Sequence, residues 1–213
     1  MKTMVKSKIC LLTIMFIGCI SISTNNKIYA QESADSAYQK GASYLKQNKL
    51  DEAISEFSKA IELSPRPDKA YYDRGRAYDA KGELDKAIDD YTKAIEVNWI
   101  ETIQGAYNNR ALDYEKKGEL DKALADYTKG IEAIPNPTFS GYKYFKSVLH
   151  RNRAEIYRIK GEFDKALEDV RAIENLGGEA GPDFIAKLKN KDSSSNISQT
   201  LKEKPEKYPG ASS

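Results

Sequence analysis

The chain has 213 residues, with 34 basic and 32 acidic side chains and a formal net charge of +2, a length that suits one ordinary domain or a short solenoid. Bulk electrostatic binding of nucleic acid is excluded, because that mode needs lysine and arginine massed on one surface. One histidine, two cysteines and no glycine-rich phosphate loop, nucleophile motif or distinctively spaced acid pair leave no visible basis for an enzyme, a metal centre or a cofactor.

The first element, residues 1–30, reads as a signal peptide. Lys2, Lys6 and Lys8 make a basic start, Ile9 to Ile22 is apolar apart from small and hydroxyl residues, and Ile28-Tyr29-Ala30 offers a cleavage site with Gln31 as the new N-terminus. The apolar run of about fourteen residues falls short of the roughly twenty that span a bilayer, so cleavage and export to a periplasmic or secreted location are expected. Phe16-Ile17-Gly18-Cys19 resembles a bacterial lipobox, and lipidation at Cys19 is the alternative, the one route by which this chain would be held at a membrane. Both cysteines and Met1, Met4 and Met15 fall within the leader, so the chain from Gln31 onward carries no sulfur, which suits an oxidising compartment. Loss of Lys2, Lys6, Lys8 and Lys27 leaves 30 basic against 32 acidic side chains and turns the net charge to −2.

An internal repeat follows. The segment from Tyr44 to Ile54 recurs 34 residues later from Tyr78 to Ile88, and again from Gly118 to Leu124 and from Gly161 to Leu167, after insertions of about two and nine residues. The units are framed as 34–67, 68–101, 104–137 and 147–180, the last extended back to 138. Asn48, Gly82, Gly118 and Gly161 occupy the turn slot, where a left-handed residue ends a helix. Asp51, Asp85, Asp121 and Asp164 come next and are expected to cap the second helix. Gly41, Gly75, Ala111 and Ala154 are expected to meet Ala53, Ala87, Ala123 and Ala166 where the two helices approach. Tyr44, Tyr78, Tyr114 and Tyr157, with Phe57, Tyr91, Tyr127 and Val170, are the larger core residues.

Charge repeats as well. Lys40, Arg74, Arg110 and Arg153 are each followed sixteen residues later by Glu56, Asp90, Asp126 and Asp169, which predicts a ladder of partly buried ion pairs within the hairpins. His150 sits at a slot that holds Tyr71 and Tyr107 in the middle units, and a packing role is expected for it. Residues 138–146, with Phe139, Tyr142, Tyr144 and Phe145, are expected to lengthen a helix over apolar surface. A capping helix is predicted over 181–190, and 191–213 has the composition of a disordered tail.

These slots resemble the tetratricopeptide repeat family from Ala34 to Leu176. The resemblance implies an all-α, right-handed superhelical solenoid of helix-turn-helix hairpins, a non-catalytic scaffold whose first helices line a concave groove for a protein or extended peptide. On the family's pattern the groove includes Tyr38, Tyr72, Asp73, Arg76, Asn108, Asn109, Arg151, Asn152, Glu155 and Arg158, with amides and guanidinium groups for a peptide backbone and rings for contact area. The family's carboxylate clamp does not fit. Asn109 matches in part, but Tyr72, Arg76, Val148 and Asn152 stand where its other lysines, asparagine and arginine belong, and Tyr38, Ala42 and Asp73 fail one unit earlier. An envelope or secretion-complex adaptor is the expected role; the alternative is a structural subunit docking by apolar anchors on convex or terminal faces, with Trp99, Phe139 and Phe145 as those anchors.

Overall fold

The computed structural model describes residues 29–97, 100–134 and 140–189, and all regular structure among them is helical. The expected leader through residue 28, Trp99, Phe139 and the tail from 190 lie outside the described residues. The helices are α1 (29–46), α2 (Leu50–Leu63), α3 (Asp68–Lys81), α4 (Leu84–Val97), α5 (Ile100–Lys116), α6 (Leu120–Glu132), α7 (Ser140–Ile159), α8 (Phe163–Asn175) and α9 (Pro182–Lys189). Each hairpin pairs an odd helix with the even one after it, and hairpins stack through α2 on α3, α4 on α5 and α6 on α7. First helices also meet directly, as α3 does α5, which makes them the inner wall of the stack.

The turns form as their sequence dictates. Asn48, Gly82, Gly118 and Gly161 have φ between 58° and 79°, and the amides of Lys49, Glu83, Glu119 and Glu162 reach back to the carbonyls of Tyr44, Tyr78, Tyr114 and Tyr157. The paired bonds of Gly82 to Asp79 and Glu83 to Tyr78 are the Schellman closure that satisfies orphan carbonyls at a helix end. The aspartates that follow do not act as caps. Helices start one residue earlier, at Leu50, Leu84, Leu120 and Phe163, and α2, α6 and α8 have no side-chain cap bond. Standing past the cap position, Asp51, Asp85 and Asp121 remain more than four-fifths exposed and receive Lys81, Lys117 and Lys160 from the next hairpin.

Close approach within hairpins involves rings as well as alanines. A Cβ added at Gly41 would stand 2.7 Å from Phe57, and one at Gly75 would stand 2.8 Å from Tyr91 and 3.3 Å from the Ala87 carbonyl. Phe57, Tyr91 and Tyr127 are fully buried as a result, along with Ala53, Ala87, Ala123 and Ala166. The two insertions lengthen first helices. α5 and α7 have 17 and 20 residues against 14 in α3, and the added turns bury Thr102 on Asp68 and Phe145 against Ile131, Ile134 and Leu149. Phe145, at 2% exposure, is a core residue and cannot serve as a docking anchor. At the far end α9 lays Phe184 and Leu188 on Ala166, Val170 and Ile173.

The ion ladder forms in three of the four hairpins. Arg74, Arg110 and Arg153 each hold both carboxylate oxygens of Asp90, Asp126 and Asp169, at 2.6 to 3.0 Å. In the first hairpin Lys40 is exposed and Glu56 pairs with Lys59, since a single ammonium lacks the planar fork that grips a carboxylate from two sides. Each arginine also donates to a hydroxyl of the preceding hairpin: Arg74 to Ser58, Arg110 to Thr92 and Arg153 to Thr128, at 2.7 to 2.9 Å. Those hydroxyls donate in turn to Ile54, Ile88 and Leu124 carbonyls. His150 joins the last clasp, its Nδ1 lying 2.7 Å from Asp169, so packing is only part of its role.

Because Arg110 and Asp126 are 12% and 5% exposed, breaking the pair strands a buried charge. Arg110→Glu is expected to cost about 3–5 kcal/mol, and adding Asp126→Arg to recover part of it. Thermal or denaturant melts of the double-mutant cycle provide the check, and a cycle with zero coupling would show that the pair contributes nothing as a pair.

Candidate functional site

The inner wall is built from α1, α3, α5 and α7, and the sequence-predicted groove residues are joined across it. Tyr38 on α1 donates to Asp73 on α3 at 2.7 Å, and Arg76 donates to the other oxygen of Asp73 at 2.9 Å. Asn109 on α5 donates to the Tyr72 hydroxyl at 3.2 Å. Asn108 donates to Asn109 and accepts from Asn152 on α7, both at 3.2 Å. A polar line thus crosses all three junctions between hairpins, where Tyr38 meets Asp73, Tyr72 meets Asn109 and Asn108 meets Asn152.

That arrangement changes what each residue can do. Asn108 is completely buried and Tyr72, Asp73, Asn109 and Asn152 are under 9% exposed, so they act first as joints that fix hairpin register. Asn108 in particular cannot meet a ligand. The accessible part of the line is Tyr38, half-buried over a hollow of about 410 Å³ at the start of the wall, and Arg76, whose side chain is 35% exposed and stacked 5.9 Å from the Tyr72 ring. Burial, and then the Asp73 carboxylate, raise the Tyr38 hydroxyl well above its ordinary pKa, so it remains a proton donor. Farther along, Arg158 grips Glu155 through two bonds of 2.7 and 2.9 Å. Arg151 is not part of this constellation. It lies exposed in a separate hollow at the end of the stack.

The wall also carries acids the sequence did not single out. Asp113 is 1% exposed at a slot filled by Ala77 and Ile156 in neighbouring units, and that exchange of an apolar residue for a carboxylate was the available signal. Lys116 bridges Asp113 and Asp79, leaving the second Asp113 oxygen and the buried Tyr91 hydroxyl without a hydrogen bond. Burial pushes the Asp113 carboxyl up to about 7; the Lys116 bond opposes this and the neighbouring Asp79 adds to it. Glu115, bonded to the Tyr127 hydroxyl, is also raised to about 7, chiefly by burial.

Both carboxyls therefore hold protons more tightly in the folded chain than in the unfolded one. Their stabilising contribution is complete below about pH 4 and is lost as pH rises through 7. Denaturant midpoints are expected to be lower at pH 8 than at pH 5, and Asp113→Asn, which keeps the shape and removes the charge, to raise the midpoint at pH 8 and flatten the slope. An unchanged slope would assign the proton to other groups.

With this geometry in place, sequence and structure comparisons agree with each other. Two tetratricopeptide repeat profiles match residues 38–99 and 105–137. Among solved structures, MamA is 26% identical, with 68% of this chain and 78% of that one aligned at a TM-score of 0.57. A tetratricopeptide repeat protein from Parabacteroides merdae is 22% identical over 75% of this chain and 60% of that one, at 0.62. YrrB, described as a TPR protein with an unusual peptide-binding site, is 18% identical over 87% and 84%, at 0.53. No curated protein matches in sequence.

Proposed function

We propose that this chain, a carrier of tetratricopeptide repeats, is an exported scaffold that holds a protein or extended peptide against its inner wall and assists assembly of an envelope or secretion complex without catalysis. The observation that carries this reading is the polar line through α1, α3, α5 and α7. A wall whose joints are satisfied in advance presents Tyr38, Arg76, Glu155 and Arg158 in fixed positions, so a ligand pays little ordering entropy on binding. Extended peptides suit such a wall, because their backbone groups pair with polar side chains while alternate residues rest on rings. A non-catalytic role fits the state of the single histidine, which is buried and committed to Asp169. Export is the reading of the basic and apolar start of the sequence, and neither Tyr29 nor Ala30, the two residues before Gln31, is buried.

Two measurements test the reading. Crosslinking in intact envelopes, followed by capture, should recover a partner with the wild-type chain. Arg76→Glu and Tyr38→Ala should reduce recovery at least tenfold at a temperature where circular dichroism shows both variants still folded. Recovery indifferent to both would remove the inner wall as the site. Mass spectrometry of the mature chain is expected to give an N-terminus at Gln31; an acylated Cys19 would instead place the scaffold on a lipid anchor, and an intact Met1 would contradict export.

A further inference from the structure

The hollow that holds Arg151 has a volume of about 340 Å³ and lies between α7 and the turn after α8. Arg151 is the fifth residue of its unit, the slot of Tyr38, Tyr72 and Asn108. In the first three hairpins that slot bonds to the first helix of the next hairpin, at Asp73, Asn109 and Asn152. Among the described residues the fourth is followed by α9, which packs on Ala166 and Val170, and no hydrogen bond or ion pair of the Arg151 side chain is found there. Arg151 and Lys143 have no ion pair among the described residues, whereas Arg76 and Lys116 on the inner wall are both held by carboxylates. Between them Tyr144 is 58% exposed, and Val148 and Ile173 make an apolar floor.

We propose that this hollow is a second docking site, separate from the inner wall, for an extended acidic segment of a partner protein with carboxylates at i and i+4 and an apolar residue at i+2. The spacing follows from two helical parameters. Lys143 and Arg151 are eight residues apart on α7, about 12 Å along the axis, and residues i and i+4 of an extended strand are about 13 Å apart. Residues i, i+2 and i+4 of a strand face the same way, so the middle side chain meets Tyr144, Val148 and Ile173 while the outer two meet the cations. Glu179 also lines the hollow, and its charge disfavours a further carboxylate at the intervening positions. The incoming carboxylate gives Arg151 a partner, as Tyr38, Tyr72 and Asn108 have theirs on the next first helix.

The test uses the full chain and a fluorescein-labelled peptide of sequence Gly-Glu-Ser-Phe-Ser-Glu-Gly with blocked ends, read by anisotropy. Saturable binding with a Kd of about 1–100 μM is expected, weakened at least tenfold by Arg151→Glu or Lys143→Glu, weakened by salt, and untouched by Arg76→Glu on the inner wall. Replacing both peptide glutamates by lysine should abolish it. The proposal is overturned by absence of saturable binding below about 1 mM, or by an affinity indifferent to both charge reversals. It is equally overturned if sedimentation finds that Arg151→Glu dissolves a self-associated form while peptide binding is unchanged, since the occupant is then a second copy of this chain.

Discussion

The architecture depends on one repeated contact, an arginine on a first helix that grips an aspartate of its own hairpin with two bonds and a hydroxyl of the preceding hairpin with a third. Arg74, Arg110 and Arg153 are each at the point where three helices meet. Apolar burial drives helices together but is indifferent to small slides; a planar fork matched to a carboxylate and a hydroxyl is not. Within the repeats the clasp therefore supplies register, and the surrounding alanines and aromatic rings supply cohesion. The separation in sequence between arginine and hydroxyl is 16 without an insertion, 18 across the first and 25 across the second, yet the contact is the same. Extra residues are absorbed by longer first helices and leave the stacking unit untouched.

The inner wall follows the same logic at lower strength. First helices of neighbouring hairpins are close enough for side chains to bond, and two of the three joints of the line, Tyr72 with Asn109 and Asn108 with Asn152, are between neutral groups. The line from Asn152 through Asn108 and Asn109 to Tyr72 is the result. A consequence for the proposed binding is that the most conspicuous amides, Asn108, Asn109 and Asn152, are buried, which leaves the side chains at the margins of the line accessible. Lys116 and the pair Asp79 and Asp113 add a place where the wall is electrostatically uncomfortable, with a carboxylate oxygen buried and unsatisfied.

Much of the fold was legible before the structure, because the 34-residue period, the left-handed turn residues and the small slots act locally. Three of four ladder rungs were legible for the same reason: a constant offset of sixteen places both partners within one hairpin. What escaped were contacts between hairpins. Ser58, Thr92 and Thr128 look like ordinary surface hydroxyls until the arginine of the next unit arrives, and Asp51, Asp85 and Asp121 look like caps until helix starts and the lysines of the next unit are placed. Lys40 failed as a rung because charge sign alone does not encode the fork geometry. For the candidate site, the expected residues all lie on first helices, but whether an asparagine faces a ligand or a neighbouring helix depends on which side of the wall the next hairpin covers. Arg151 stands apart from the set because it lines a separate hollow beside the turn after α8.

The central claim is that each arginine ties two hairpins together. Native-state hydrogen exchange on Arg110→Met tests it most directly, since Thr92 is on α4 and Asp126 on α6. The account predicts that amide protection falls in both α4 and α6. Loss confined to α6, with α4 as protected as in the wild-type chain, would contradict it.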